Sequence, residues 1–254
     1  MQSEAAAVQR ALETVWERLY GELDEARFER RGDLILALYP AFPIPQCNGP
    51  WVVEDTQGAV DALAGAIAEV DAAGAWPWVQ TRSGHERARR AAEELGLTHC
   101  ERVPGMALRP GELVERSGPA AEIDFISEAE MDAANEVLAT CFEAPKELFD
   151  RFCGLFAGID ECSWYVGRVE GEVVATALGF TDDGVTGVFN VATAPEHRGR
   201  GHGAALTARV VRDGFREGST LAYLQSSDSG YGVYRRLGFR DVEEYLLLSR
   251  PVSG

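Results

Sequence analysis

Apolar residues recur at two different spacings along the first half of the chain. Spacings of three and four predict an amphipathic helix near the start, with apolar positions Val8, Leu12, Val15, Leu19 and Leu23. Short apolar runs at 33–39 and 51–53 predict strands, and the segment 59–73 has the spacing of a longer helix. A strand at 78–82, a helix ending at Leu95-Gly96 and a returning strand at 103–109 complete this half.

The second half shows a fuller alternation of helices and strands. A short strand at 123–126 precedes two helical patterns, 128–141 and 146–156, which Pro145 separates. Three apolar runs then predict an antiparallel meander with tight turns at Glu170-Gly171 and Asp183-Gly184, namely 164–169, 172–180 and 185–193. The fold class expected from both halves is therefore α/β with a mixed sheet.

Landmarks of the first half recur in the same order in the second. The pairs are Gln80 and Gln225, Leu95 and Leu237, and Arg109 and Arg250, at offsets of 145, 142 and 141 residues. In each copy a strand, a helix ending at Leu-Gly and a returning strand follow one another. We interpret the chain as two related domains in tandem, 1–116 and 119–254, joined through the polar segment 110–119.

Composition narrows the class of protein. The 254 residues carry a formal net charge of −17, which argues against a protein that binds nucleic acid or an anionic membrane surface. No apolar run approaches the roughly 18 residues of a membrane span, and the first ten residues do not resemble a secretory signal. The five cysteines form no CxxC pair and suit reduced thiols. We therefore expect a cytoplasmic protein.

The richest chemical pattern is the glycine-rich segment His197–Ala204. Gly199, Gly201 and Gly203 alternate just ahead of a helical pattern, where the absence of Cβ atoms exposes backbone N–H groups. A helix N-terminus adds unpaired donors and a partial positive charge. Arg198 and Arg200 concentrate positive charge in an acidic chain. The segment thus predicts a site for phosphate or pyrophosphate.

Several alternatives follow from the same segment. The segment lacks the Gly-Lys-Ser/Thr of a P-loop. Residues Gly199 to Ala204 do match the looser dinucleotide fingerprint G-x-G-x-x-G/A, which is a weak signal by itself. Antiparallel hairpins ahead of it disfavour a dinucleotide fold, although an NAD(P)H-dependent oxidoreductase stays an alternative. His197 and His202 have no Cys or carboxylate at ligand spacing, so no metal is expected. Ser226, Ser227 and Ser229 lack the G-x-S-x-G pattern of hydrolases.

Two motifs in the second half resemble those of the GNAT N-acetyltransferases. The family pattern V-x-x-x-P-x-x-R-G-x-G-x-G/A is similar to Val191–Ala204, with Pro195 and Arg198 in place. The family's second landmark, Tyr followed by three residues and Gly-Phe, is similar to Tyr234–Phe239. The resemblance covers about 120–254. It implies the GNAT fold, and with the internal repeat it implies two GNAT-like domains in tandem.

The resemblance also implies an activity and a set of site residues. It implies transfer of acetyl from acetyl-CoA to a primary amine of a small molecule or protein, with Tyr234 as the general acid that protonates the departing thiolate. Backbone groups of the strand would bind the pantetheine arm, and the loop would bind the pyrophosphate. The implied donor-binding residues are Val191, Ala192, Thr193, Arg198, Gly199, Arg200, Gly201, His202, Gly203 and Ala204.

Departures from the family pattern leave some questions open. Many members have an Asn seven residues before the Tyr and an Ala four residues before it, where this chain has Ser227 and Gly230. In the first half the segment 54–60 replaces the glycine loop and is acidic, so we interpret that half as a degenerate copy without cofactor. It would shape the acceptor site or form a homodimer contact.

Two further questions stay open at this point. A CoA-sensing or partner-binding module without turnover is the alternative function. A set of aromatic residues either lines the acceptor pocket or, as we favour, packs the core around the two helices: Phe142, Phe149, Phe152, Phe156 and Trp164.

Overall fold

The structure is a computed structural model that describes residues 3–42, 47–114, 122–156 and 158–251, without the side chains of residues 128, 152 and 155. Its contacts divide the chain into two compact units. The glycine-loop unit comprises Met1–Val15 and Gly105–Val242, and the N-terminal unit comprises Trp16–Pro104 and Glu243–Gly254. Half of the predicted linker segment 110–119, namely residues 115–119, lies outside the described residues, as does the side chain of Phe152.

This division differs from the predicted boundary at 116/119. The strands His99–Leu108 and Arg240–Ser249 each contribute residues to both units, as does the first helix, Glu4–Gly21. Within the glycine-loop unit, the Glu4 carboxylate pairs with Arg109 and Arg240, which ties the start of this helix to that unit. The description of the two halves as separate tandem domains stays a prediction.

The N-terminal unit contains a sheet of mixed direction. Its elements, with the shared helix and strand, are α1 (Glu4–Gly21), β1 (Arg27–Arg31), β2 (Leu34–Leu38), β3 (Asn48–Val52), α2 (Gln57–Ala72), β4 (Trp78–Arg82), α3 (Glu86–Glu94) and β5 (His99–Leu108). Strands β1, β2 and β3 are antiparallel neighbours, and β3 pairs with β4 in parallel. Buried apolar side chains such as Leu34, Leu36 and Leu63 form its core.

The elements of the glycine-loop unit, with a shared strand at the end, are β6 (Glu122–Phe125), α4 (Met131–Phe142), α5 (Lys146–Phe156), β7 (Cys162–Val169), β8 (Glu172–Asp182), β9 (Val185–Thr193), α6 (His202–Arg216), β10 (Leu221–Gln225), α7 (Asp228–Arg236) and β11 (Arg240–Ser249). Its strands lie side by side in the order β5-β10-β9-β8-β7-β6. Leu206, Val210 and Val211 bury the apolar face of α6 in the core of this unit. That packing fixes the N-terminus of α6 beside the end of β9.

The predicted elements are present, with differences that have physical causes. Strand β1 was not predicted because Arg27–Arg31 holds one apolar residue among charged ones. Backbone pairing with β2 and ion pairs from Arg27 and Arg31 to Glu69 hold it in place. Helix α4 begins three residues later than predicted, after a 3-10 turn at Glu128–Glu130. No helix among the described residues is long and apolar enough to span a bilayer.

Candidate active site

Strand β9 changes direction just before the glycine loop. Thr176 pairs with Ala192 and Leu178 with Phe189, so two residues of β9, 190 and 191, lie opposite the single residue Ala177 of β8. Asn190 has a φ of 49°, in the left-handed region that Asn tolerates better than most residues. This is a β-bulge, which bends a strand and redirects the residues that follow it. The bulge therefore sets the orientation of Val191, Ala192 and Thr193.

Strands β9 and β10 pair over only part of their length. The described parallel ladder runs from Val185 opposite Leu221 to Gly187 opposite Tyr223. Beyond that point β10 continues to Gln225 and pairs with β5 on its other side. The edge of β9 from Val188 onward has no ladder partner from β10 among the described residues. An extended ligand that offers amide groups can hydrogen-bond to such an edge.

The glycine loop ends in an uncapped helix N-terminus. Gly199 has a φ of 75° and Gly201, the N-cap of α6, a φ of 87°. These values favour glycine because a Cβ atom is strained in the left-handed region. No side chain caps this end of α6, and the first helical hydrogen bond runs from Ala205 N to Gly201 O. The N–H groups of residues 202–204 therefore remain for an anion.

The two arginines of the loop are held by oxygen and sulfur atoms that carry no formal charge. Arg198 Nε donates to Thr193 O at 3.1 Å, and its Nη2 lies 3.6 Å from Cys141 Sγ. Arg200 Nη2 donates to Glu196 O at 3.1 Å. Within the described part of the chain neither guanidinium forms an ion pair with a carboxylate. Both positive charges thus stay available to a bound anion.

A cavity of about 1050 Å³ brings the predicted site residues together. Its lining includes every predicted donor-binding residue and Tyr234, namely Val191, Ala192, Thr193, Arg198, Gly199, Arg200, Gly201, His202, Gly203, Ala204 and Tyr234. Five arginines and no aspartate or glutamate line it among the described residues, although the whole chain has a net charge of −17. Such segregation of charge suits a polyanionic ligand.

Tyr234 reaches the cavity from α7. Its half-buried ring makes an edge contact with Phe239, the ring centroids being 6.0 Å apart. Burial raises the pKa of the Tyr234 hydroxyl to about 12, and no other cause contributes. The phenol therefore keeps its proton throughout the neutral pH range, as a proton donor must.

His202 contributes its backbone to the loop more than its side chain. The side chain is only 3% exposed, and neither ring nitrogen has a hydrogen-bond partner among the described residues. Burial, followed by the charges of His197 and Arg200, lowers the pKa of His202. We infer a neutral ring whose backbone N–H belongs to the uncapped end of α6.

Several lining residues were not predicted as site residues. Cys141, at the end of α4, donates from Sγ to Thr193 O at 3.2 Å. Arg209, Arg212 and Arg236 line the cavity as well. They come from separate helices or from later turns of α6, where no local motif marks them, so only the tertiary structure reveals them.

The structure separates the aromatic set into two groups. Phe149, Phe156 and Trp164 are buried, as expected for core residues. Phe142 is 53% exposed and lines the cavity, in contact with Phe149 at a centroid distance of 5.9 Å. Phe142 is therefore the described member of the set that is placed to contact a ligand.

Ser227, which stands where many GNAT members have Asn, is engaged within the protein. It is the N-cap of α7, where its Oγ accepts a hydrogen bond from Gly230 N at 3.2 Å. An N-cap of this kind satisfies a backbone donor of the first helical turn.

Acidic and hydroxyl side chains cap the corresponding helices of the N-terminal unit. Thr56 caps α2 by accepting from Ala59 N, and Thr56 Oγ1 donates to Asp33 at 2.8 Å. The carboxylate of Asp55 accepts from Arg87 N and Ala88 N at the start of α3. A hydroxyl at the start of α2 and a carboxylate at the start of α3 thus take backbone hydrogen bonds that a bound anion would need. That this half binds no cofactor stays a prediction.

Comparison with known proteins identifies the family. The model of the Acetyltransferase (GNAT) family matches residues 127–239. The curated proteins searched contain no match to the chain. Among solved structures, a GCN5-related N-acetyltransferase from Kribbella flavida is 24% identical with a TM-score of 0.76, over 100% of this chain and 98% of that one.

Two more solved structures cover most of the chain. A GCN5-related N-acetyltransferase from Sphaerobacter thermophilus is 21% identical with a TM-score of 0.67, over 87% of this chain and 78% of that one. A functionally unknown conserved protein from Staphylococcus epidermidis is 13% identical with a TM-score of 0.65, over 90% and 95%. These similarities confirm the mixed α/β GNAT fold and agree with the tandem arrangement. The family model thus assigns residues 127–239 to the GNAT acetyltransferase family, and the similarity of the rest of the chain is one of fold.

Proposed function

We propose that the protein transfers acetyl from acetyl-CoA to a primary amine. The observation that carries the proposal is the cavity at the end of β9, where an unpaired strand edge, an uncapped helix N-terminus and Tyr234 meet. The strand edge suits the amide groups of a pantetheine arm. The helix end suits a pyrophosphate, because it combines free N–H groups with a partial positive charge.

The residues present fit such a donor in chemical type. Backbone groups of Val191–Thr193 would hold the arm, and the loop amides with Arg198 and Arg200 would hold the pyrophosphate. A bound donor would supply an acetyl thioester. A backbone N–H at the end of β9 would polarise the thioester carbonyl as negative charge develops on its oxygen. Because the amine itself is the nucleophile, no serine or cysteine nucleophile is needed.

Proton transfers complete the proposed reaction. A C–N bond forms as the C–S bond breaks, and the departing thiolate takes a proton from Tyr234. The attacking nitrogen loses a proton to a base or to water. The raised pKa of Tyr234 keeps its hydroxyl protonated throughout the neutral pH range.

A direct transfer assay tests this proposal. The purified chain is incubated with acetyl-CoA and panels of small primary amines and of peptides with free amines, and acetylated products are detected by mass. We expect a mass increase of one acetyl group on at least one acceptor, dependent on the protein. Binding of CoA without any transfer would favour the alternative, a CoA-sensing module without turnover. Hydride transfer from NADH would favour the oxidoreductase instead.

A further inference from the structure

Phe142 offers an apolar surface to the cavity. It lines the cavity and is 53% exposed, whereas Phe149, against which its ring packs, is 8% exposed. The two rings are tilted by 33° with their centroids 5.9 Å apart, so the protein covers only part of the Phe142 ring. A single exposed apolar side chain on an open surface is ordinary, but one on a cavity wall is placed to contact a ligand.

The position of Phe142 distinguishes it from the residues that would hold the donor. Helix α4 ends directly after Phe142, because Glu143 has a left-handed φ of 52°. The Cys141 thiol donates to Thr193 O at 3.2 Å, which fixes this end of α4 against the end of β9. The donor-binding groups come from β9, the glycine loop and α6. Phe142 comes from a separate helix that meets them, so its apolar surface is left for the second substrate.

Positive charge lies next to this apolar surface. Arg198 Nη2 is 3.6 Å from Sγ of Cys141, the neighbour of Phe142 in the chain. A nearby cation disfavours the ammonium form of an amine and thereby favours the neutral form that attacks a thioester. The same charge repels any second ammonium group that the acceptor carries. The donor phosphates would offset this charge, and the lining, where described, has no carboxylate that adds a negative one.

We propose that the acceptor is a primary amine attached to an aromatic or branched aliphatic group, without a second positive charge, and that Phe142 selects it. This inference rests on the proposed function and adds the chemical class of the acceptor. Contact between the apolar group and Phe142 removes apolar area from water on both, which stabilises the complex. An aromatic acceptor also gains from the preferred contacts between rings.

Selectivity among four amines tests the inference. The apolar probes are 2-phenylethylamine and 3-methylbutylamine, and the others are ethylamine and 1,4-diaminobutane, all assayed at saturating acetyl-CoA. We expect kcat/KM of the wild type to be at least about tenfold higher for one of the apolar probes, since even one methylene in an apolar pocket is worth about 10–200-fold. Phe142→Ala should reduce this preference over ethylamine by at least about tenfold. Phe142→Leu, which keeps an apolar side chain, should retain most of it.

Phe125→Ala is the matched control. Phe125 is similarly exposed, at 51%, and does not line the cavity, so its loss should leave the selectivity unchanged. An unchanged selectivity in Phe142→Ala, an equal loss in Phe125→Ala, or a wild-type preference for ethylamine or 1,4-diaminobutane would overturn the inference. A loss of acetyl-CoA affinity in Phe142→Ala with unchanged selectivity would do so as well, because Phe142 would then contact the donor.

Titration calorimetry of the same amines on the chain saturated with CoA gives a readout that needs no turnover. We expect an apolar probe to bind more tightly than ethylamine and to lose this advantage in Phe142→Ala. Binding of the apolar probes without acetyl transfer would overturn the proposed function alone. Failure of both apolar probes to bind would overturn the inference, even if another amine were acetylated.

Discussion

Tyr234→Phe is expected to lower kcat for acetyl transfer by about 10²–10⁴-fold, the usual contribution of a general acid. The change removes one oxygen atom and leaves the ring that packs against Phe239. Among the described residues the hydroxyl of Tyr234 has no hydrogen-bond partner, so its removal breaks no hydrogen bond. The melting temperature and the dissociation constant for acetyl-CoA should therefore stay close to those of the wild type. Steady-state kinetics and calorimetry measure these quantities.

Tyr231→Phe is the matched control on the same helix. Tyr231 Oη donates to Asp241 at 2.8 Å, and Tyr231 does not line the cavity. Loss of this hydrogen bond should lower the free energy of unfolding by no more than about 1 kcal/mol and leave kcat unchanged. If Tyr234→Phe retained the wild-type kcat, Tyr234 would not be the proton donor. Loss of kcat in both variants would indicate a general disturbance of α7.

Gly201→Ala is expected to weaken acetyl-CoA binding by about 5–30-fold. Gly201 holds a φ of 87° as the N-cap of α6. A residue with a Cβ is destabilised by about 1–2 kcal/mol in the left-handed region. If the loop must adopt this conformation to bind the donor, the same energy is lost from binding, which corresponds to about 5–30-fold in affinity. A loop that relaxes instead turns its N–H groups away from the anion. Isothermal titration with acetyl-CoA measures the effect.

Gly171→Ala controls for the backbone strain itself. Gly171 has a φ of 86° in the turn between β7 and β8, with open space around the added Cβ. Its substitution should lower the free energy of unfolding by a similar amount without changing the affinity for acetyl-CoA. An unchanged affinity in Gly201→Ala, or an equal loss of affinity in Gly171→Ala, would contradict the assignment of the loop as the anion site.

The sequence predicted those parts of the site that depend on local chemistry. The loop glycines and Tyr234 were recognisable because backbone conformation and proton transfer restrict which residues serve at fixed spacings. The structure brings both motifs to one cavity. The bulge at Asn190 could not be predicted, because it depends on the register between β8 and β9. The same holds for Cys141, whose contact with Thr193 joins positions 52 residues apart.

Some elements of the fold follow from the sequence pattern, and others depend on contacts between distant residues. Helix α1 is predictable because it buries one face, which gives apolar residues at helical spacing. Strand β2 is predictable because all its residues are buried, which gives a continuous apolar run. The charged strand β1 has no such pattern, since backbone pairing and ion pairs hold it. The predicted domain boundary at 116/119 was placed between the two copies of the sequence repeat. The contacts instead assign 243–254 to the N-terminal unit, a choice of strand pairing that composition cannot reveal.

Thermal unfolding of the purified wild-type chain with acetyl-CoA, and separately with NADH, tests the central claim most directly. At about 100 times the dissociation constant, a ligand that binds only the folded state stabilises it by roughly 2.7 kcal/mol. For a domain of this size that is a shift of several degrees. We expect this shift with acetyl-CoA and none with NADH. A shift with NADH alone, or with neither ligand, would contradict the assignment of the cavity as an acetyl-CoA site.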